Sequence, residues 1–359
     1  MLNSDRRFQS IYGLLLGLAI GDALGQPHAG LSRKRALRSV GRKPLRYRLW
    51  PGQGLYSDDT QLALMAGQAI LQSRSQSSSF HRNFVRRLKW YAFGLPVGIS
   101  KSTFFASLKS WLWRSALPTG SWSAGCAPGS RALLLGVVLH NTGHRYLVWS
   151  RDSAASTHRH PLAADGAAVL ATAAQIAAVT STGRLNSKSA LETLIKTAKE
   201  AELQSALEEL QPFLERNSSP RSVAKHFKWH HNISRAMVPT TVMAVYCFLR
   251  YPEDFVRAVK WALILSGKNA TLPALVAGLL GAHLGASALP ADLVGGLADW
   301  PHNRAWIERL SIRLSDWPHG VDDLLIAPPL RSHPLGQLLR NLSRWPLVLA
   351  HKVVALVCG

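Results

Sequence analysis

Apolar side chains recur along most of this chain at the three- and four-residue spacing of amphipathic helices. The clearest segment spans residues 187–216, where Leu, Ile and Ala side chains follow the helical period behind a capping box of Ser189 and Glu192. Four further Ala- and Leu-rich segments predict helices: 60–72, 162–178, 254–265 and 272–288. No segment alternates like a convincing half-buried strand. The pattern therefore predicts an all-α fold.

Glycine recurs at every fourth position of the first apolar segment: Gly13, Gly17, Gly21 and Gly25. A similar series of small residues occurs near residue 280: Ala277, Gly281 and Gly285. Residues four apart lie on one face of a helix, and an interior glycine costs about 1 kcal/mol relative to alanine. A closely approaching second helix would offset that cost. We therefore expect close helix packing here, with chance spacing in a glycine-rich chain as the alternative.

The segments without a helical pattern predict loops at 28–53, 114–130 and 216–222, and a loop-rich C-terminal extension at 300–359. No linker separates two halves of the chain, so residues 1–359 are interpreted as a single domain.

The apolar runs Ile11–Ile20 and Leu272–Ala282 are shorter than the roughly 20 residues that a membrane-spanning helix needs. No membrane span is expected.

Charge changes this picture, because 42 Lys and Arg side chains face 20 Asp and Glu, a net charge of +22. Residues 1–190 hold 24 basic and 6 acidic side chains, and the predicted loop at 28–53 is strongly basic. Such an excess favours an anionic partner, either a protein or a nucleic acid.

The three cysteines are widely spaced and form no CxxC motif, which is typical of reduced thiols in a cytoplasmic protein.

The candidate chemistry centres on Ser57, Asp58 and Asp59, in a half of the chain that is otherwise poor in carboxylates. One interpretation is a helix start: Ser57 is the N-cap, and the two Asp side chains interact favourably with the helix dipole. The other is a Mg²⁺ or Ca²⁺ site, because these cations prefer oxygen ligands. A complete site would need further carboxylates from elsewhere in the chain.

The order of motifs resembles the ADP-ribosylglycohydrolase family, which includes the dinitrogenase reductase-activating glycohydrolases. The resemblance covers roughly residues 8 to 300. Its motifs, in chain order, are Gly21-Asp22-Ala23-Leu24-Gly25, Tyr56-Ser57-Asp58-Asp59-Thr60-Gln61, Arg131 with Leu135-Gly136, Ser156-Thr157-His158 and the glycine-rich segment 277–285. The first two motifs, taken in order, are the most specific.

This resemblance implies a single-domain orthogonal helical bundle in which two Mg²⁺ ions hold the ribose of an ADP-ribosyl group. By the same resemblance, a carboxylate and a water molecule cleave the N- or O-glycosidic bond. The residues that match the family motifs fall into three groups: catalytic Asp22, Asp58 and Asp59; metal-binding Ser57, Asp58, Asp59 and Thr271; and ligand-binding Arg131 and His158. The expected partner is an ADP-ribosyl group or an ADP-ribosylated protein.

The chain departs from the family pattern at several metal-ligand positions. Ala29 stands where the family has Glu, and Gly125-Cys126 lacks the Asn of the family's Gly-Asn loop. Lys268 and Ala270 replace the two Asp residues of the family's second metal motif. At most one Mg²⁺ is therefore expected, or none. We hypothesise that the Lys268 ammonium replaces a metal ion beside Asp58 or Asp59; an exposed loop lysine is the alternative.

Three functions remain open at this stage. The chain is expected to be a catalytically impaired pseudoenzyme that keeps a binding cleft. The first alternative is an active Mg²⁺-dependent hydrolase that removes ADP-ribose from a modified target. The second is a basic protein that binds nucleic acid or another polyanion through its N-terminal half, although no nucleic-acid-binding fold signature accompanies the charge.

Overall fold

The structure is a computed structural model that describes residues 4–73, 76–112, 119–229, 233–317, 328–331 and 334–357. The first nine helices are α1 Ser4–Gly25, α2 Arg33–Val40, α3 Asp58–Leu71, α4 Ser77–Tyr91, α5 Lys101–Leu112, α6 Gly129–Val138, α7 Arg145–Ala155, α8 Pro161–Val179 and α9 Ser187–Thr197. The remaining nine are α10 Ala201–Glu208, α11 Gln211–Glu215, α12 Pro220–His226, α13 Met237–Arg250, α14 Phe255–Ser266, α15 Thr271–Leu284, α16 Ala291–Gly295, α17 Arg304–Ser315 and α18 Pro334–Val357. Across the described ranges, extended backbone pairs only as isolated bridges. The predicted all-α class is confirmed.

The predicted glycine seam lies at the centre of the bundle, where α1 and α15 pack antiparallel. A Cβ added at Gly13 would lie 2.1 Å from the Gly281 carbonyl oxygen, and one at Gly17 would lie 2.1 Å from that of Ala277. Gly21 meets the Pro273 carbonyl in the same way, at 2.2 Å. Any side chain at these positions would therefore push the two helix backbones apart.

Four predicted helices are confirmed to within four residues at either end, as α3, α8, α14 and α15. The predicted single helix at 187–216 is instead α9, α10 and α11. The predicted capping box is wrong, because α9 begins before Ser189. The Asn186 side chain caps α9 by accepting hydrogen bonds from the Lys188 and Ser189 backbone N–H groups, both at 3.1 Å.

The predicted loops are partly corrected. The basic segment 28–53 contains α2, and α12 begins inside 216–222. Residues 119–128 form irregular backbone, as expected for that part of 114–130, whereas residues 113–118 lie outside the described ranges. The C-terminal segment predicted to be rich in loops holds α17 and α18.

Two helical segments, Ser4–His28 and Pro161–Val179, are long and apolar enough to cross a membrane by length and composition alone. In the folded chain, 83% and 72% of their apolar windows are buried. Such burial is what helices of a protein core show. The two segments correspond to α1, with the turn after it, and to α8.

Candidate functional site

The packing of α1 against α15 brings the predicted site residues of both helices to the N-terminus of α3. Asp22 lies near the C-terminal end of α1, Asp58 and Asp59 are the first two residues of α3, and Thr271 is the first residue of α15. All four side chains are buried. The predicted carboxylate pair and two of its predicted neighbours therefore share one site.

Asp22 caps α3 from a different helix. One of its carboxylate oxygens accepts hydrogen bonds from the Ser57 N–H at 2.8 Å, the Thr60 N–H at 3.1 Å and the Thr60 hydroxyl at 2.8 Å. The other oxygen accepts one from the Ser57 hydroxyl at 2.5 Å. Ser57 occupies the predicted N-cap position, but its hydroxyl does not bond to the first turn of α3. The carboxylate of Asp22 is therefore largely engaged in holding α3 in place.

Asp59 keeps one carboxylate oxygen without a partner among the described residues. Its Oδ2 accepts a hydrogen bond from the Thr271 hydroxyl at 2.8 Å, whereas none of these residues donates a hydrogen bond to its buried Oδ1. A buried oxygen of this kind is costly unless something donates to it or coordinates it. Asp59 Oδ1 is therefore the strongest candidate atom for a ligand contact.

Asp58 lies against the backbone of the loop before α5. A Cβ added at Gly98 would lie 2.6 Å from Asp58 Oδ1, and Gly98 has a φ of +91°. Both the left-handed backbone and the close approach require glycine at this position. The loop therefore closes one side of the carboxylate.

Three buried carboxylates in one place disfavour the fully ionised state. Burial, reinforced by the charge of Asp22, raises the pKa of Asp58 to about 7. Burial and the charges of Asp58 and Asp22 raise the pKa of Asp59 well above its ordinary value. Burial also raises the pKa of Asp22, although its four hydrogen bonds oppose the change. The site therefore favours whatever adds positive charge to it, whether a proton or a cation.

Two arginines provide positive charge near the pair. Arg131 on α6 is wholly buried and donates to the Ser153 hydroxyl at 3.1 Å and the Thr157 hydroxyl at 2.9 Å. Burial lowers the pKa of Arg131 to about 10, and the charges of Asp59 and Asp58 oppose that change. Arg235, just before α13, is exposed, and its charge lowers the pKa values of both Asp58 and Asp59. No motif in the sequence had singled out Arg235.

His158 lies in the loop after α7, beside Arg131. Its Nδ1 forms a 2.8 Å hydrogen bond with the Thr157 hydroxyl, and its Nε2 would lie 3.0 Å from a Cβ added at Gly125. Burial, together with the positive charges of Arg131 and Arg235, lowers the pKa of His158 to about 3. The imidazole is therefore neutral at physiological pH.

The structure does not bring Lys268 to the carboxylates. Lys268 is exposed, and no ion pair among the described residues joins it to Asp58 or Asp59. The intervening Asn269 is buried instead, and its Oδ1 accepts the backbone N–H groups of Thr271 and Leu272. The hypothesis that Lys268 replaces a metal ion is therefore wrong, because the turn before α15 points Asn269 inward and Lys268 outward.

The described residues provide an incomplete set of oxygen ligands for a metal ion beside the carboxylate pair. Asp58, Asp59 and the Thr271 hydroxyl offer oxygen atoms on one side of the site, and Asp59 Oδ1 is without a partner. Within the described part of the chain, no group of three or more His, Cys, Asp and Glu side chains is placed to hold a metal ion. Ala29, Lys268 and Ala270, which stand at three of the positions considered in the sequence analysis, supply no carboxylate.

The family profile for ADP-ribosylglycohydrolases matches residues 3–322, nearly the whole chain. The chain belongs to the ADP-ribosylglycohydrolase family. The match ends before α18, so this helix follows the segment shared with the family. A search of the curated proteins by sequence found no match.

The fold is also similar to that of a solved structure described as an ADP-ribosylglycohydrolase-related protein complex. The TM-score is 0.66 and the identity is 24%, over 87% of this chain and 99% of the other. At this identity, the likeness concerns the fold. The helical bundle of the ADP-ribosylglycohydrolase family is thus the architecture of this protein.

Proposed function

We propose that this ADP-ribosylglycohydrolase-family protein is a pseudoenzyme that binds an ADP-ribosyl group without hydrolysing it. The observation that carries the proposal is the incomplete donor set beside Asp58 and Asp59. Two-metal chemistry needs both ions to position and activate the reacting groups. The four hydrogen bonds that engage Asp22 and the exposure of Lys268 support the proposal, because neither side chain is then available to a second ion.

The remaining groups suit binding. The Asp58 and Asp59 carboxylates accept hydrogen bonds from sugar hydroxyl groups, and exposed Arg235 can pair with a diphosphate. A single Mg²⁺, when bound, would be held by Asp58, Asp59 and Thr271 and would supply a positive charge for the ligand's oxygen atoms. Neutral His158 would add a hydrogen-bonding edge without adding charge.

Calorimetry with ADP-ribose, with and without Mg²⁺, tests the binding part of this proposal. We expect binding by the wild-type protein, and about tenfold or greater weakening in Arg235→Gln, the cost of losing one charge-assisted hydrogen bond. Lys34→Gln, which neutralises an exposed charge on α2, is the matched control. Equal affinity in wild type and Arg235→Gln would remove the role given to Arg235, and absence of binding would overturn the proposal.

Hydrolysis of an ADP-ribosylated peptide tests the impaired activity. We expect no Mg²⁺-dependent release of ADP-ribose by wild type or by Asp58→Ala. Mg²⁺-dependent release by wild type that Asp58→Ala abolishes would identify an active hydrolase instead.

The double variant Lys268→Asp/Ala270→Asp restores the family's carboxylates, and we expect Mg²⁺ to raise its melting temperature more than that of wild type.

Polyanion binding through the basic N-terminal half is a second candidate function. The exposed side chains of Lys34, Arg38, Arg42 and Lys43 form a basic surface on and after α2. Nucleic-acid binding through such a surface should weaken steeply as salt is added. Filter binding to an RNA and a DNA oligonucleotide over a salt series checks this, and absence of binding at low salt would eliminate it.

A further inference from the structure

The C-terminal helix α18 is attached to the fold by its polar face. Arg340 and Arg344 are buried, and each places a guanidinium nitrogen 2.7 Å from Asp299 Oδ1. Both also donate to the Tyr56 carbonyl oxygen at 2.8 Å. The neighbouring Asn341 amide donates to the Gly94 carbonyl at 2.6 Å. The side of α18 that contacts the protein is therefore charged.

The opposite side of α18 is apolar and exposed. Leu335, Leu339, Leu342 and Leu349 follow one another at helical spacing, with 75%, 59%, 46% and 53% of their surfaces accessible. An amphipathic surface helix normally turns its apolar stripe toward the core and its charges toward water. Because α18 does the reverse, its outer stripe is left without an apolar partner among the described residues.

An aromatic cluster extends this exposed surface onto α4 and α5. Trp90, Phe93 and Trp111 have ring centroids 5.3–6.2 Å apart and remain 41–58% exposed. On α5, Phe104 and Leu108 lie on the same helical face as Trp111 and are exposed as well. An exposed apolar area of this extent is typical of an interaction surface.

The two parts form one surface, which we call the apolar face. The Trp345 indole N–H donates to the Leu95 carbonyl at 3.0 Å and so joins α18 to the loop before α5. Trp90, Phe93 and Leu335 also line one cavity of about 680 Å³ between α3, α4, α17 and α18. Asp58 and Asp59 do not line this cavity, whereas Gln61, two residues after Asp59, does.

The surroundings of the apolar face are basic. Its elements come from two stretches, residues 60–151 and 324–359, that contain no Asp or Glu. Arg86 is exposed and lines the cavity with Trp90 and Phe93, and Lys89 Nζ lies 5.0 Å from the centre of the Trp111 ring. On α5, Lys101 is exposed and Lys109 is half-buried. The occupant of this face must therefore be both apolar and negatively charged.

We propose that the apolar face docks onto a membrane surface that contains anionic phospholipids. Exposed Trp side chains and an outward apolar helix insert at the level of the headgroups, while Lys and Arg pair with phosphate groups. A second copy of the chain fits less well, because a two-fold contact would place the same basic residues opposite each other. The cavity lined by Trp90 and Leu335 has a mostly apolar surface, which suits an acyl chain.

Co-sedimentation with phosphatidylcholine vesicles, with and without phosphatidylserine, tests the proposal. We expect binding that requires phosphatidylserine and decreases with added salt. Leu339→Ser should weaken binding by about tenfold. Lys101→Gln/Lys109→Gln should weaken it by roughly 30-fold, because each basic residue near an anionic surface contributes about 1 kcal/mol. Both variants change residues outside the core, so we expect both to keep the fold.

The matched control is Trp122→Ser, because Trp122 is 72% exposed and lies outside the apolar face. Unchanged binding by this variant supports the proposal, whereas a loss equal to that of Leu339→Ser would contradict it. The proposal is overturned if the protein sediments equally with both vesicle types, or if it sediments with neither of them. Sedimentation velocity without vesicles adds a further check: a dimer that Leu339→Ser dissociates would assign the face to a second copy.

Discussion

Single side chains at the N-terminus of α3 define the chemistry of the site. Asp22 accepts hydrogen bonds from the Ser57 and Thr60 backbone N–H groups at the start of α3. The oxygens of Asp58 and Asp59 are therefore not needed to cap this helix. The pair is consequently buried, with raised pKa values and one oxygen without a partner. This arrangement stores unfavourable charge that a proton, a cation or a ligand can relieve.

A pH dependence of stability follows from that charge. The pKa of Asp58 is about 7 in the folded chain and about 4 when unfolded. Between these values the folded state holds the extra proton, so stability contributed by Asp58 is full below pH 4 and is lost as the pH rises through 7. In a chelator, we expect wild type to lose on the order of 1–3 kcal/mol more than Asp58→Asn between pH 5 and 7.5.

Urea unfolding at the two pH values measures this difference. Comparing the two proteins removes the opposite contribution of buried histidines such as His158, whose pKa is lowered. Asp292→Asn, which changes an exposed carboxylate on α16, serves as the control. Parallel pH profiles for wild type and Asp58→Asn would show that the Asp58 carboxyl is not destabilised by burial.

At the scale of elements, the antiparallel pair α1 and α15 fixes the site. The close approach along Gly13, Gly17 and Gly21 sets the register at which Thr271 reaches Asp59 and Asp22 reaches α3. Backbone atoms form this contact, so no rotation of a side chain can make room for a larger residue. A larger residue at these glycines would therefore separate α1 from α15 and displace the carboxylates that the two helices hold in place.

Gly17→Ala should accordingly destabilise the protein by about 2 kcal/mol or more, because its Cβ would meet the Ala277 carbonyl oxygen at 2.1 Å. Gly295→Ala is the matched control, since a Cβ there has no neighbour within 4 Å. Denaturant midpoints of the two variants provide the comparison. A Gly17→Ala variant as stable as Gly295→Ala would mean that the helices can separate without cost.

At the scale of the whole molecule, α18 connects the C-terminal part of the chain to the site. Its buried Arg340 and Arg344 hold the Tyr56 carbonyl, one residue before Ser57, and its other side forms part of the apolar face. The anchor of the proposed membrane surface and the support of the proposed ADP-ribosyl site are thus the same helix. A movement of α18 on docking would therefore reach the ligand site through the Tyr56 carbonyl, and ligand binding could affect α18 in the same way.

Arg340→Met tests this connection. It leaves Asp299 buried with one arginine, and we expect a loss of about 3 kcal/mol, the cost of breaking a buried ion pair. Hydrogen exchange should become faster in α18 and around Tyr56. Ser343→Ala, whose hydroxyl bonds within α18 to the Arg340 carbonyl, is the control. Unchanged exchange around Tyr56 in Arg340→Met would show that α18 does not support the site.

The sequence by itself determined the all-α class, the glycine seam and the position of Asp58 and Asp59 at a helix start. These features depend on local spacing, and helical periodicity places residues three and four apart on one face wherever the helix lies. Motif order likewise sufficed to identify the family, because it does not depend on how the motifs meet in space.

Tertiary structure alone decided what each side chain contacts. It turned the Ser57 hydroxyl toward Asp22, placed Lys268 in solvent, added Arg235 to the site and buried the polar face of α18. These outcomes join residues far apart in the chain, and a charged helix face looks the same in sequence whether water or Asp299 lies opposite. The direction in which a side chain points follows from the packing of whole helices, which local patterns do not specify.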